Sequence, residues 1–354
     1  MSLDFLRCLA FKIAHTICSL VPRKSGKQAN YIFVFEPPSR SRWILDFIID
    51  DIAVHLNHVE ILRVETAFEL FRRSVHLSRS SYVILCKHQS VPHELIVRGF
   101  SPANIISIYS HSRLSFNRIN TLNRIHKILV VNHSEKIQLL LAGIQSSKIQ
   151  LFRPGIDLEL FSPPTDSQIR DIDIVICGRF SMQPESHYFI RKNYINLRAV
   201  VEYLSDCGLT LALIGPGWNR FISQSIQGVK LFEVGHKYTP DIFRRSKVYL
   251  NYSLYEGGPV SLLEAYASGC SIVSTPSGWA LDLFTEDRSV MLLPPDPSPS
   301  SVCLRLQSAV DKFTCPDQET LVSRHVILQE YTFPHLASQL ENISRSTQNA
   351  RPHA

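Results

Sequence analysis

None of the eight cysteines in this 354-residue chain (Cys8, Cys18, Cys86, Cys177, Cys207, Cys270, Cys303 and Cys315) stands in a C-x-x-C pair. That argues against a zinc or disulfide framework, and several of them end apolar runs such as YVILC and IDIVIC. Buried free thiols in a reducing compartment are the reading that fits. Charge of one sign is also short: 37 Lys+Arg stand against 31 Asp+Glu. Residues 1–30 supply +4 of the net +6, through Arg7, Lys12, Arg23, Lys24 and Lys27 against Asp4. The body, at +2, is no general nucleic-acid surface. A long unbroken apolar run is missing as well. Its nearest approach, SLDFLRCLAFKIAHTICSLVP, is interrupted by Arg7, Lys12 and His15, so a spanning helix is not expected. No small-residue cleavage site marks a signal peptide there. Leu6, Leu9, Ile13, Ile17 and Leu20 do recur at helical spacing. Residues 1–26 are therefore either an interfacial helix on an anionic bilayer or a helix packed on the protein body. Internal repeats are absent, and PPDPSPSS (294–301) reads as a loop. Sequons at Asn132, Asn251 and Asn342 fall in or beside expected core elements, so glycosylation is not expected.

What the chain does have is alternation. YIFVF (31–35), YVILC (82–86), NIISIY (104–109) and KILVV (127–131) read as strands, and WILDFIIDDIAVHL (43–56) as a helix. IQLFRPGIDLELFSPP (149–164) carries breakers and marks a crossing into a second unit. There IDIVIC (172–177), LTLALI (209–214), VKLF (229–232), KVYLNY (247–252), SIVS (271–274) and SVMLL (289–293) are strands with helices between them. Repeated βα units predict α/β architecture, with parallel sheets and ligands at the carboxyl ends of the strands. The tail STQNARPHA is expected to be disordered.

The glycine-rich signals sit at those strand ends: Gly178 before Arg179, Gly215-Pro216-Gly217, and Gly257-Gly258. The last belongs to YEGGPVSLLEAYASGC (255–270). Here the two glycines allow a sharp turn, Pro259 suits the first helical position, and Val260 to Ser268 form the helix. Such a strand, turn and helix aims free N–H groups and the positive helix end at an anion, most often phosphate. Glu264 lies about one turn inside, among apolar and small neighbours. It is either a carboxylate on a wet helix face or an acceptor for ligand hydroxyls, since burial without partners costs several kcal/mol.

From KIQLFRPGIDLELFSP through ICGRF, LALIGPG and the segment around Glu256 and Glu264 to YTFPHLASQLENI, the chain resembles the retaining nucleotide-sugar glycosyltransferases of the group 1 type. That resemblance, over about residues 128–345, implies a GT-B fold of two facing Rossmann-like domains with a central cleft. It implies that Glu264 binds ribose, that Glu256 lies against the donor sugar, and that Gly257, Gly258, Pro259 and Val260 cap the diphosphate. Gly178 and Gly215 would line the same site. Arg179 and Lys192 would neutralise the leaving diphosphate, although SMQPESHYFI lengthens the usual spacing and lets Arg191 compete for the role of Lys192. His111, in IYSHSR, resembles the family's histidine near the transferred sugar. The glycine-rich loop of many relatives is replaced by EPPSRSRW, where Arg40 or Arg42 would act. Asp171 and Asp173 form a D-x-D string at the start of an interior strand and read as structural, so no metal site is expected.

The implied domains are an amphipathic segment (1–26), an acceptor-side domain (27–158), a nucleotide-sugar-binding domain (159–318) and C-terminal helices packing back on the first domain (319–346). The implied activity is cytoplasmic transfer of a sugar from a nucleotide diphosphate sugar to a glycan or lipid-linked acceptor, in assembly of a cell-surface polysaccharide or glycolipid. It would need no cofactor and no nucleic acid, and it allows peripheral membrane contact. An epimerase or hydrolase on the same fold, or a degenerate non-catalytic module, are the alternatives.

Overall fold

The computed structural model of the protein describes residues 31–35, 51–63, 82–86, 95–96, 100–109, 119–153, 155–164, 169–181, 186–222, 226–287 and 289–349. These residues form two compact units.

The first unit holds a six-stranded sheet: β1 (Tyr31–Phe35), β2 (Val59–Arg63), β3 (Tyr82–Cys86), β4 (Ile105–Tyr109), β5 (Lys127–Val130) and β6 (Ile149–Leu151), in the order β2-β1-β3-β4-β5-β6. Every pairing is parallel. β2 and β6 do not appear in the sequence reading. Both are edge strands, which lack the continuous apolar run of a strand covered on both sides. Ile105, Ile128, Val130, Leu122 and Leu139 form the core beneath this sheet.

The second unit holds β7 (Ile172–Cys177), β8 (Leu211–Ile214), β9 (Val229–Phe232), β10 (Ser246–Asn251), β11 (Ser271–Ser274) and β12 (Met291–Leu292), again all parallel, in the order β12-β11-β10-β7-β8-β9. The chain runs outward from β7 to β9, then returns to place β10 on the other side of β7. The strand order thus reverses between β7 and β10, which opens a crevice at their carboxyl ends. Helix Tyr194–Asp206 buries Leu197, Val200, Val201 and Leu204 against this sheet, a stripe at the 3.6-residue period.

Several element ends differ from expectation. β10 stops at Asn251, and the expected SVMLL strand shrinks to Met291–Leu292 at the sheet edge. Helix Pro299–Asp311 begins inside the expected PPDPSPSS loop, because Ser298 caps it by accepting from Ser301 N at 3.3 Å and Pro299 suits a first turn. Helix Phe333–Asn349 carries the first four residues of the tail expected to be disordered, continuing a buried stripe of Leu336, Leu340 and Ile343. Asn132 and Asn251 are buried, whereas Asn342 is exposed on that helix.

Packing also divides the chain differently from the cuts at 158/159 and 318/319. The second unit takes Val131–Ser134 and Phe152–Leu336. Helix Gln318–Leu328, expected on the first domain, stays with it because Arg324 donates to Cys270 O at 3.0 Å and stacks over Tyr266 at 4.5 Å. Only from Ala337 does the chain join the first unit, where Tyr82 Oη donates to Ser344 O at 2.6 Å. Residues 1–26 lie outside the described residues. No helix among the described residues is long and apolar enough to cross a membrane.

Candidate functional site

The reversal between β7 and β10 brings together the sequence-predicted residues of the second unit. After β7 come Gly178 and Arg179. The Gly178 carbonyl accepts from Trp218 Nε1 at 2.8 Å, and a side chain at Gly215 would place its Cβ 2.4 Å from that oxygen. Gly215 also adopts φ +119, so only glycine fits this crossing of β7 and β8. The Arg179 carbonyl accepts from Tyr188 Oη at 3.1 Å and from Tyr194 Oη. Phe180 inserts among Tyr194, Trp218 and Phe221, with ring centroids 5.0–5.6 Å away. The backbone bearing the exposed Arg179 side chain is therefore fixed by an aromatic cluster.

After β10 the chain reaches Glu256, whose side chain is 3% exposed. Two cations hold it. Lys192 Nζ lies 2.6 Å from Oε1, and Arg191 bonds Oε2. Both cations come from the end of helix His187–Arg191, and Arg191 also packs over Tyr188 at 5.2 Å. Leu254 N donates to Arg191 O at 2.8 Å, which ties that helix end to the approach to Glu256. A buried carboxylate stays ionised only with such partners. Arg191 and Lys192 thus hold the same carboxylate, one on each oxygen.

The turn that follows is wrapped from outside. Asn132 Nδ2 donates to Gly257 O at 2.5 Å, and Trp279 Nε1 donates to Val131 O at 2.6 Å. The Trp279 ring covers Gly258 so closely that a Cβ there would meet Cζ2 at 2.2 Å. Pro259 is the N-cap, with φ −71 and ψ 102, and not the first helical residue; helix Val260–Ala267 begins one position later and ends before Ser268. Tyr249 Oη, at the β10 floor, pairs with Ser261 Oγ at 2.8 Å in the first turn.

Helix Val260–Ala267 is buried on nearly every side, Glu264 included. Its carboxylate has a partner that the sequence reading missed: His236 Nε2 donates to Oε1 at 2.6 Å. His236 follows β9 and packs on Phe161, with ring centroids 5.3 Å apart. Cys177, the last residue of β7, lies in the same field; burial first, then the Glu264 charge, pushes its thiol up to about 12. It is no nucleophile near neutral pH.

Asp171 and Asp173 lie at the opposite, amino end of β7. Asp171 bonds Arg245 at 2.7 and 2.5 Å, which holds its carboxyl down at about 2, and Asp173 pairs with Lys247 at 2.7 Å. They are sheet-end ion pairs. No group of three or more His, Cys, Asp or Glu with metal-holding geometry occurs among the described residues. His111, Arg40 and Arg42 lie outside the described residues.

Residues 171–308 match the family model described as Glycosyl transferases group 1. Over 257 residues the chain is 22% identical to a subunit of the human phosphatidylinositol N-acetylglucosaminyltransferase, covering 69% of this chain and 50% of that protein. The chain therefore spans about half the length of the curated relative it matches. Among solved structures it is similar to a glycosyltransferase from Rickettsia africae (TM-score 0.68, 11% identity, 92% of this chain and 100% of that one). It is also similar to sucrose-phosphate synthase from Thermosynechococcus elongatus (0.67, 14%, 92% and 100%) and to Anabaena Alr3699/HepE in complex with UDP and glucose (0.63, 13%, 89% and 99%). Residues 171–308 are thus similar to the group 1 glycosyl transferases, on a chain whose fold is that of these GT-B structures.

Proposed function

We propose that this protein transfers a sugar from a nucleoside diphosphate sugar to a hydroxyl of a glycan or lipid-linked acceptor, with retention at the anomeric carbon and without a metal. The observation that carries this is the pair of buried carboxylates at the β7/β10 reversal, Glu256 beside Lys192 and Arg191, and Glu264 behind the N-terminus of helix Val260–Ala267. Glu264 suits two ribose hydroxyls. The free N–H groups of the helix start suit the diphosphate. Glu256 suits the sugar, and Arg179 and Lys192 suit the charge that builds on the departing diphosphate.

In this reading the C1–O bond to the diphosphate breaks and the bond from C1 to the acceptor oxygen forms on the same face. The acceptor proton passes to the departing phosphate oxygen, so no protein nucleophile is required. Cys177, held protonated at the floor, supplies none. The UDP in the Anabaena complex favours a UDP-sugar, and the human relative's name an N-acetylglucosaminyl donor, among those to be tried first.

The test is diphosphate release from a panel of UDP-, GDP- and ADP-sugars, with and without lipid and glycan acceptors. Acceptor-dependent release that falls at least about 100-fold in Arg179→Ala is expected, the loss typical of one preorganised transition-state donor. Turnover with no acceptor requirement would replace transfer by hydrolysis or epimerisation. Failure to bind any nucleoside diphosphate would leave a non-catalytic module.

A further inference from the structure

We infer that His236 is a positioning residue for Glu264: it fixes the carboxylate's rotamer and presents the second oxygen, Oε2, to a polyol ligand. The inference rests on the donor-site reading above and adds a residue that reading does not contain.

Glu264 sits on a helix whose other side chains are almost all buried, with its own 5% exposed. A lone glutamate there would have three side-chain torsions to search and a charge to solvate. His236 removes both problems. Its Nε2–H reaches Oε1 at 2.6 Å, the short range of a charge-assisted bond. The imidazole is itself held. Phe161, a fully buried ring, packs on one side, and Phe161 in turn packs on Phe243 at 6.2 Å. The backbone of His236 is anchored by Thr239 Oγ1, which donates to His236 O at 2.8 Å, and the preceding Gly235 O accepts from Tyr238 N at 2.9 Å. The chain of support therefore runs from the core through Phe161 and His236 to Glu264.

The arrangement divides the carboxylate's labour. Oε1 accepts from His236, and the inference assigns the other oxygen to the ligand. A carboxylate held by a supporting shell binds without the entropy cost of being ordered by the ligand. His236 is also 38% exposed, more than a purely structural core histidine.

The experiment measures binding of UDP, GDP and ADP by calorimetry to the full chain and to four variants: Glu264→Ala, His236→Ala, His236→Gln and the double variant His236→Ala/Glu264→Ala. His236→Ala is expected to weaken the tightest diphosphate about tenfold, while His236→Gln, which keeps an N–H donor of similar reach, recovers most of it. In the Glu264→Ala background, His236→Ala is expected to cost less than about twofold, because the residue acts through Glu264. Equal losses from His236→Ala in both backgrounds, or no loss in either, would overturn the positioning role while leaving the donor-site reading intact. A Glu264→Ala variant that binds as wild type overturns the donor-site reading itself. His236→Gln guards against misfolding of the alanine variant: a folded glutamine variant with wild-type affinity supports the inference only alongside the non-additive double variant, and additivity counts against it.

Discussion

Lys192 Nζ lies 2.6 Å from Glu256 Oε1, and the neighbouring Arg191 holds the carboxylate's other oxygen. Two cations on one buried acid leave a net positive charge where a diphosphate is proposed to depart. Lys192→Ala is expected to lower turnover by at least about 100-fold with little change in melting temperature, because Arg191 still pairs Glu256. Arg191→Ala is expected to lower stability more, by about 1–3 kcal/mol, since it removes a charged bond to a buried carboxylate. Parallel turnover and thermal-melt measurements separate the two. If Arg191→Ala proves the more damaging to turnover at equal stability, Arg191 and not Lys192 serves the diphosphate.

Glu264→Ala is expected to weaken nucleoside diphosphate binding by about 1.5–3 kcal/mol, the worth of hydrogen bonds to a charged group. Calorimetry on the folded variant reads this directly. Unchanged affinity refutes the ribose role.

Gly258→Ala puts a Cβ 2.2 Å from the Trp279 ring, and that ring cannot retreat without giving up its bond to Val131 O. Overpacking of this kind costs about 1–3 kcal/mol. The melting temperature should fall and diphosphate affinity with it, because the same turn leads into the phosphate-facing helix start. The double variant Gly258→Ala/Trp279→Phe, which shortens the ring, should recover part of the stability.

Transfer is expected to persist in excess EDTA, since the proposed charge stabilisers are Arg179, Lys192 and helix N–H groups. Complete loss that Mg²⁺ or Mn²⁺ restores would contradict this. The measurement is diphosphate release in matched buffers.

Residues 1–26 lead to a prediction from sequence alone. An interfacial helix there should carry the protein to anionic vesicles, with binding that weakens as salt rises. Deleting the segment should abolish co-sedimentation and leave hydrolysis of a soluble donor intact. Aggregation or a lower melting temperature after deletion would favour a helix packed on the body. A stable, monomeric, vesicle-bound truncation would point to another surface.

By itself the sequence determined the α/β class, the buried strands of both units and the strand–turn–helix around Glu256 and Glu264. Those features are written locally, in apolar runs and in glycines at strand ends. The edge strands Val59–Arg63 and Ile149–Leu151 were not legible, because VEILR and IQL are short and interrupted by polar residues. Only the tertiary structure decided what each charged group faces. The placement of β10 beside β7 brings Glu256 to Arg191, 65 residues earlier in the chain, and the return from β9 brings His236 to Glu264. Nothing in the neighbourhood of His236, in VGHKYTPD, signals a partner 28 residues on. A lone histidine acquires its role from the carboxylate that the fold sets against it, and strand order, unlike strand content, is settled by long-range packing.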